Sequence, residues 1–281
     1  MPTDLPGPPG DESEIRRAPA TAFVLGMVWG GLLTLVGGGI GQLIVPGLIL
    51  WLRITGSRAV ATAQTTVFIA GSAATWLYHH DLVRRELGGL SLSWILFLSI
   101  GGLVGSLCGA FAKGTLAPAW RPRVVGWAVL MAGLMLMAKS LRWLPFDAGW
   151  SSEPLHLGLV SALCAMVMSL ARMGAGVLFV PIAALVFDWD QHLNQGTSIA
   201  VGTALSAVAL PINALRGRIA WNHVAPLASG ALFGVLVAAP RVSALTSPAL
   251  QAAAAVFVIL FGAGILRTRV PESPGEGRDG A

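Results

Sequence analysis

Residues 33–48 read LTLVGGGIGQLIVPGL, an apolar run whose middle holds Gly37, Gly38, Gly39 and Gly41, with Pro46 five residues after the last. Glycine is the poorest non-proline helix former, and proline removes a backbone donor. The surrounding stretch, residues 21–52, would measure about 48 Å as one straight helix, well beyond a hydrocarbon core of about 30 Å, yet it is short for two full crossings and a turn. Two partial helices meeting at Gly37–Gly41 fit that length. Irregular backbone at such depth survives only where protein buries it or water lines it, so the glycines predict a cavity.

The rest of the chain is built for the same environment. Of 281 residues 55% are hydrophobic and 11% charged, with mean hydropathy +0.74, against about 25% charged in ordinary soluble domains. Apolar runs at 59–78, 92–112, 124–138, 199–215, 224–240 and 249–266 approach or exceed a membrane crossing. They read as helices, since open sheets do not live in lipid. The expected class is therefore all-α, a polytopic membrane protein. Sixteen of the 18 basic residues are arginine, and they sit at run ends as cytoplasmic loops and snorkelling anchors do, which argues against nucleic acid as a partner. Arg16 and Arg17 before the first run favour a cytoplasmic N-terminus. Cys108 and Cys164 lie singly in apolar runs and read as packing residues. The five histidines, His79, His80, His156, His192 and His223, stand near run ends without metal-ligand spacing. No metal site, cofactor or ATP-binding motif is expected.

The chain repeats itself. Gly39, Gly41 and Pro46 meet Gly174, Gly176 and Pro181 at a constant offset, and Thr65-Thr66 meets Thr197-Ser198. Further on, Gly101, Gly105 and Gly109 meet Gly230, Gly234 and Ala238, and Gly133 meets Gly262. This divides the chain into a Pro/Gly-rich tail (1–19), a first repeat (20–143), an interfacial linker (144–154), a second repeat (155–267) and a second tail (268–281). About eight hydrophobic helical segments result, the first of each half broken at its glycines. Single-crossing and re-entrant versions of the broken segment imply parallel and inverted halves respectively, and Lys/Arg counts at the span ends do not separate them. Duplicated halves are a common build of secondary transporters, although channels and scaffolds duplicate too.

At each break the second half-helix offers unpaired N–H groups and a positive dipole end, and glycine lets a ligand approach the backbone. That describes an anion cradle, though the same glycines also serve tight helix packing. Gly37, Gly38, Gly39 and Gly41 form it in the first half, and Gly174 and Gly176 in the second. Pro46 and Pro181 fit the opening turns of the second half-helices. Arg172 is the one charge inside an apolar run, where a cation is costly and pairs most simply with an anion; snorkelling is the alternative. Gln64, Thr65 and Thr66, then Asn194, Gln195, Thr197 and Ser198, supply neutral donors that either complete the cradle or join helices. The carboxylates lie in tails or at run ends, so a carboxylate proton relay lacks its central residue. A membrane-embedded enzyme would need a base in reach of a nucleophile, which the spans do not offer.

A glycine cluster followed by proline and then by an Ala/Gly-led Thr-Ser/Thr element, occurring twice, resembles the sulfite exporter TauE/SafE family, also called the toluenesulfonate uptake permease family. The resemblance spans about 21–267. It carries family positions onto Gly37, Gly38, Gly39, Gly41, Pro46, Thr65 and Thr66, and onto Gly174, Gly176, Pro181, Gly196, Thr197 and Ser198; Arg172 and Met173 depart from the glycine pattern. The resemblance implies a multi-pass protein of the cell membrane, the bacterial inner membrane, that moves sulfite, thiosulfate or an organosulfonate. A passive anion channel or a membrane assembly subunit would share these features. The expected partners are thus a small sulfur-containing anion and the lipid bilayer, with coupling ion and oligomeric state open.

Overall fold

The computed structural model describes residues 12–38, 44–112, 120–143, 152–170 and 176–267, with backbone alone for 12–18. Among them run ten helices: α1 (Glu12–Val36), α2 (Ile44–Leu52), α3 (Gly56–Arg84), α4 (Leu92–Ala112), α5 (Arg121–Ser140), α6 (Pro154–Ser169), α7 (Gly176–Val186), α8 (Gln191–Leu215), α9 (Trp221–Ser243) and α10 (Ser247–Arg267). No strand occurs among the described residues. Six helices, α1, α4, α5, α8, α9 and α10, are long and apolar enough to cross a membrane. The central α3 is 29 residues long but carries Thr62, Gln64, Thr65, Thr66, Ser72 and Thr75, which lower its hydropathy. Large apolar side chains left on the outside, such as Leu50, Leu92, Phe111 and Leu215, suit contact with lipid.

Helix α1 stops at Val36 because Gly37 takes φ +100°, a left-handed conformation that glycine adopts without steric cost. The Gly37 N–H still bonds Leu33 O at 3.0 Å, closing the last turn. Helix α2 then runs back beside α1. A Cβ on Gly47 would lie 3.0 Å from Leu25 Cδ1, whereas a straight continuation would separate those residues by about 33 Å. Pro46 lies in α2, two residues after Ile44, and the residues before that helix are outside the described ones. Pro181 lies inside α7, five residues after Gly176. There its missing donor removes the bond to Val177 O.

Glycine faces set the helix pairing. A Cβ on Gly230 would fall 2.0 Å from Phe23 O, on Gly234 2.1 Å from Met27 O, and on Gly31 3.9 Å from Ala238 Cβ. The numbers rise together, so α1 and α9 run parallel with their backbones nearly touching. The α4–α6 pair repeats this, with Gly101 against Gly158 O (2.1 Å), Gly105 against Ala162 O (2.0 Å) and Gly109 against Met166 O (2.4 Å). Close approach of this kind is how helices associate in lipid, where burying apolar surface gains little. By contrast α3 and α8 are antiparallel, with Tyr78 beside Gln195, Gly71 beside Thr203 and Gln64 beside Asn213. So are α5 and α10, with Gly133 against Ile259 and Leu130 against Gly262.

These directions sort the charges. Arg53, Arg58, Arg121, Arg123, Arg216, Arg218 and Arg267 fall at the end of the bundle where α3 starts and α8 stops, and no carboxylate joins them among the described side chains. At the other end Asp81, Glu86, Glu153, Asp188 and Asp190 mix with Arg84, Arg85, Lys139, Arg142 and Arg241, including a Lys139–Asp188 pair at 2.5 Å. Two larger apolar cores hold the bundle, one gathered mainly from α1, α2, α3 and α9, the other mainly from α4, α5, α6 and α7, with α8 and α10 contributing to both.

Candidate functional site

In the seam between the two cores lies a cavity of about 290 Å³. Gly38, two residues after the end of α1, and Gly176, the first described residue of α7, both line it. Its hydroxyls and amide come from Gln64 of α3, Ser106 of α4, Ser161 of α6, and Ser198 and Ser206 of α8. Apolar wall is supplied by Val60, Val67, Leu98, Phe179 and Leu205. Among the described lining residues none carries a charge. From the breaks the cavity runs along the N-terminal half of α3 and the C-terminal half of α8, toward the arginine-rich end.

Local geometry aims several donors into this space. The Gly38 N–H donates to Ser198 Oγ at 3.2 Å, which leaves the Ser198 hydroxyl proton for another acceptor. Gln64 Oε1 accepts from Asn213 Nδ2 at 2.8 Å, fixing the amide so that its NH₂ is the group left to donate. The Ser161 hydroxyl is spent on Leu98 O at 2.7 Å, so its oxygen offers lone pairs only. Gly38 and Gly202 keep the walls apart: a Cβ on Gly38 would strike Ser198 O at 2.2 Å, and one on Gly202 would lie 3.2 Å from Gly38 O. Gly176, the first described residue of α7, brings the N-terminal side of that helix to the cavity wall.

Of the residues singled out from sequence, Gly38, Gln64, Gly176 and Ser198 line the cavity, and Gly37 adjoins it, its α-carbon facing Ser198 Oγ and Val180. Thr65 and Thr66 do not reach it; their hydroxyls turn back to Ala61 O (2.9 Å) and Thr62 O (3.0 Å). Gln195 is buried away from it, donating to Leu35 O at the end of α1 while its Oε1 sits 3.0 Å from the Tyr78 hydroxyl, which also reaches Thr34 O. Asn194 donates to Val180 O at 2.6 Å, and Thr197 Oγ1 is buried without a partner. Gly39, Gly41, Arg172 and Gly174 lie outside the described residues. Sequence reasoning passed over Ser106, Ser161 and Ser206; the signal available was the Gly102/Ser106 and Gly202/Ser206 spacing of four, which stacks a small and a polar residue on one helix face.

Residues 23–265, which hold both breaks and the whole cavity lining, match the family described as Sulfite exporter TauE/SafE. The chain belongs to this family. A probable membrane transporter protein, YunE of Bacillus subtilis (strain 168), is 25% identical over 235 residues, covering 75% of this chain and 84% of the relative. A protein named terpene cyclase dpmpB, of Macrophomina phaseolina (strain MS6), is 35% identical over 111 residues; that match takes in 37% of this chain and spans 44% of the relative's length. No solved structure matches the chain. Family, Bacillus relative and six apolar helices together mark this TauE/SafE protein as a membrane transport protein.

Proposed function

We propose that this TauE/SafE protein is a secondary transporter of a small sulfur-containing anion, sulfite, thiosulfate or an organosulfonate, working by alternating access around the cavity. The observation that carries the reading is that Gly38 and Gly176, from the two broken segments, open onto one space. Backbone N–H groups, the α7 dipole, the Ser198 hydroxyl and the Gln64 amide are what a sulfonate or sulfite oxygen needs, without the desolvation cost of several charges. Arg172, four residues before Gly176 in sequence, is proposed as the counter-charge. Gly39, Gly41 and Gly174, beside Gly38 and Gly176 in sequence, are proposed as further members of the cradle.

Two halves, residues 20–143 and 155–267 joined by 144–154, are proposed as inverted copies, each with four segments when α1–α2 and α6–α7 count as one broken segment apiece. The contacts support this. Carrying Gly101–Gly158 and Gly105–Ala162 across the repeat gives Gly230–Phe23 and Gly234–Met27, and Gly133–Ile259 becomes Gly262–Leu130. Corresponding helices α3 and α8 are antiparallel, as are α5 and α10, which calls for a pseudo-two-fold axis in the membrane plane. The arginine-rich end is proposed as cytoplasmic, in a bacterial inner membrane, so the cavity faces inward here.

Uptake of labelled sulfite and taurine into proteoliposomes tests the reading. Saturable, gradient-driven flux is expected, and Arg172→Ala or Gly39→Leu is expected to abolish it in protein that remains monodisperse. Unchanged flux in both variants overturns the cradle. Ohmic anion conductance would make the protein a channel instead.

A further inference from the structure

We propose a second anion chamber, closed in this conformation, that opens to the opposite side of the membrane and is lined by Thr66, Ala73, His192 and Gln195. The inference rests on the two inverted halves proposed above and adds the residues that a substrate meets in the other state. If the halves are equivalent, the oppositely facing cavity is found by exchanging each lining residue for its counterpart. The offset that pairs Thr65-Thr66 with Thr197-Ser198 carries Ser198, Leu205 and Ala209 of α8 to Thr66, Ala73 and Leu77 of α3. It carries Val60 and Ala63 of α3 to His192 and Gln195 of α8. Ala73, Leu77, His192 and Gln195 all lie beyond the point where Gly71 meets Thr203, toward the carboxylate-bearing end of the bundle. Thr66 lies just short of that point, as Ser198 does for the open cavity.

Three further observations support a closed chamber there. Equivalent helix pairs are packed unequally: α3 lies against α9 more extensively than α8 lies against α4, and the cavity occupies the looser of the two seams. The counterpart of Ser161, which bonds Leu98 O beside the open cavity, is Gly26, whose α-carbon lies so near Leu227 O that a Cβ would stand 2.1 Å from it. An unpaired polar atom also lies in the exchanged lining: His192 Nδ1 is buried without a partner among the described residues. Such an atom costs free energy while dry and recovers it when hydrated. A region that must fill with water and a polar solute in half of each transport cycle accounts for its retention.

The present seal of the chamber is the Tyr78 hydroxyl with Gln195 and the carbonyls of Thr34 and Leu35, which bind the end of α1 to α3 and α8. The chamber takes the same small anion. Its donor, once the seal parts, is the Gln195 amide; the Thr66 hydroxyl stays on Thr62 O and the His192 ring on Leu245 O, so these two line the chamber with lone pairs.

Single cysteines at Ala73, at Leu77 one turn later on the same face, and at Ser206, in a Cys108→Ser/Cys164→Ala background, test this in oriented membrane vesicles with an impermeant maleimide. Ser206→Cys is expected to react from the arginine-rich face, and Ala73→Cys and Leu77→Cys from the other. Adding Tyr78→Phe is expected to raise the Ala73→Cys rate about fivefold, the population shift that one lost hydrogen bond brings. If Ala73→Cys and Leu77→Cys react from the arginine-rich face, or from neither while Ser206→Cys reacts, the chamber is overturned. Labelled sulfite flux through the background protein separates the two readings: opposite-sided labelling without flux leaves the chamber standing and removes the transport proposal, and flux without Ala73→Cys labelling does the reverse.

Discussion

Gly71 and Thr203 meet where α3 crosses α8, so closely that a Cβ on Gly71 would lie 2.3 Å from Thr203 Oγ1, itself bonded to Ile199 O at 2.8 Å. The two residues are counterparts under the offset that relates Thr65-Thr66 to Thr197-Ser198. The crossing of the central helices therefore coincides with the point about which the halves would be related.

Gly71→Ala is expected to force Thr203 off its rotamer or to spread α3 from α8, at a cost of about 1–3 kcal/mol. The loss is context-bound, so Thr203→Ala in the same chain should restore most of it. Thermal unfolding of the four proteins of this double-mutant cycle in one detergent reads the coupling, and strict additivity would mean that the two residues do not oppose one another.

Filling the cavity should stop transport without unfolding the protein. Ser206 of α8 is almost wholly buried yet lines the open space, so a Phe there has a cavity to enter rather than a packed core. Ser206→Phe is expected to lower flux by tenfold or more, about 1.4 kcal/mol on the transport barrier, while size-exclusion behaviour and melting temperature hold. Retained flux would mean that the substrate passes elsewhere.

How much of this was legible beforehand depended on backbone rather than side chains. The Gly37–Gly41 cluster announced the end of α1, because a left-handed Gly37 is a local requirement that sequence records directly. Glycine offsets likewise announced the helix contacts, since a Cβ at Gly101 or Gly230 has no room. Helix directions were not legible: charge counts at the span ends differ little between topologies, and the antiparallel α3–α8 pair is a relation between residues more than a hundred positions apart. Polar residues misled for a different reason. A threonine in a helix satisfies its own hydroxyl on the preceding turn, so Thr65 and Thr66 vanish into α3, while Ser106 and Ser206 gain their role from the neighbouring helix alone.

Ser198 joins the break to the cavity wall, and its removal should be felt twice. Ser198→Ala withdraws the acceptor of the Gly38 N–H, a loss of about 1 kcal/mol in stability if water does not replace it. It also withdraws a donor from the proposed cradle, so apparent affinity should fall more than melting temperature suggests. Ser198→Thr, which keeps the hydroxyl, should recover both. An affinity unchanged in Ser198→Ala would remove this side chain from the site.

Glycines in this bundle are not interchangeable, and a pair of them makes a clean contrast. On Gly230 a Cβ would lie 2.0 Å from Phe23 O, a backbone atom that moves only if α1 and α9 separate, whereas Gly264 of α10 has open space around its α-carbon. Gly264→Ala should therefore gain up to about 1 kcal/mol from helix propensity alone. Gly230→Ala has the same propensity gain but must push apart helices that touch along several turns, a penalty at the upper end of the usual overpacking cost of about 1–3 kcal/mol. Gly101→Ala, opposed by Gly158 O at 2.1 Å, should behave as Gly230→Ala does, because α4 and α6 repeat the α1–α9 contact. The measurement is the yield of monodisperse protein and its melting temperature. Equal melting temperatures for the Gly230→Ala and Gly264→Ala proteins would mean that the α1–α9 backbones do not approach as closely as described.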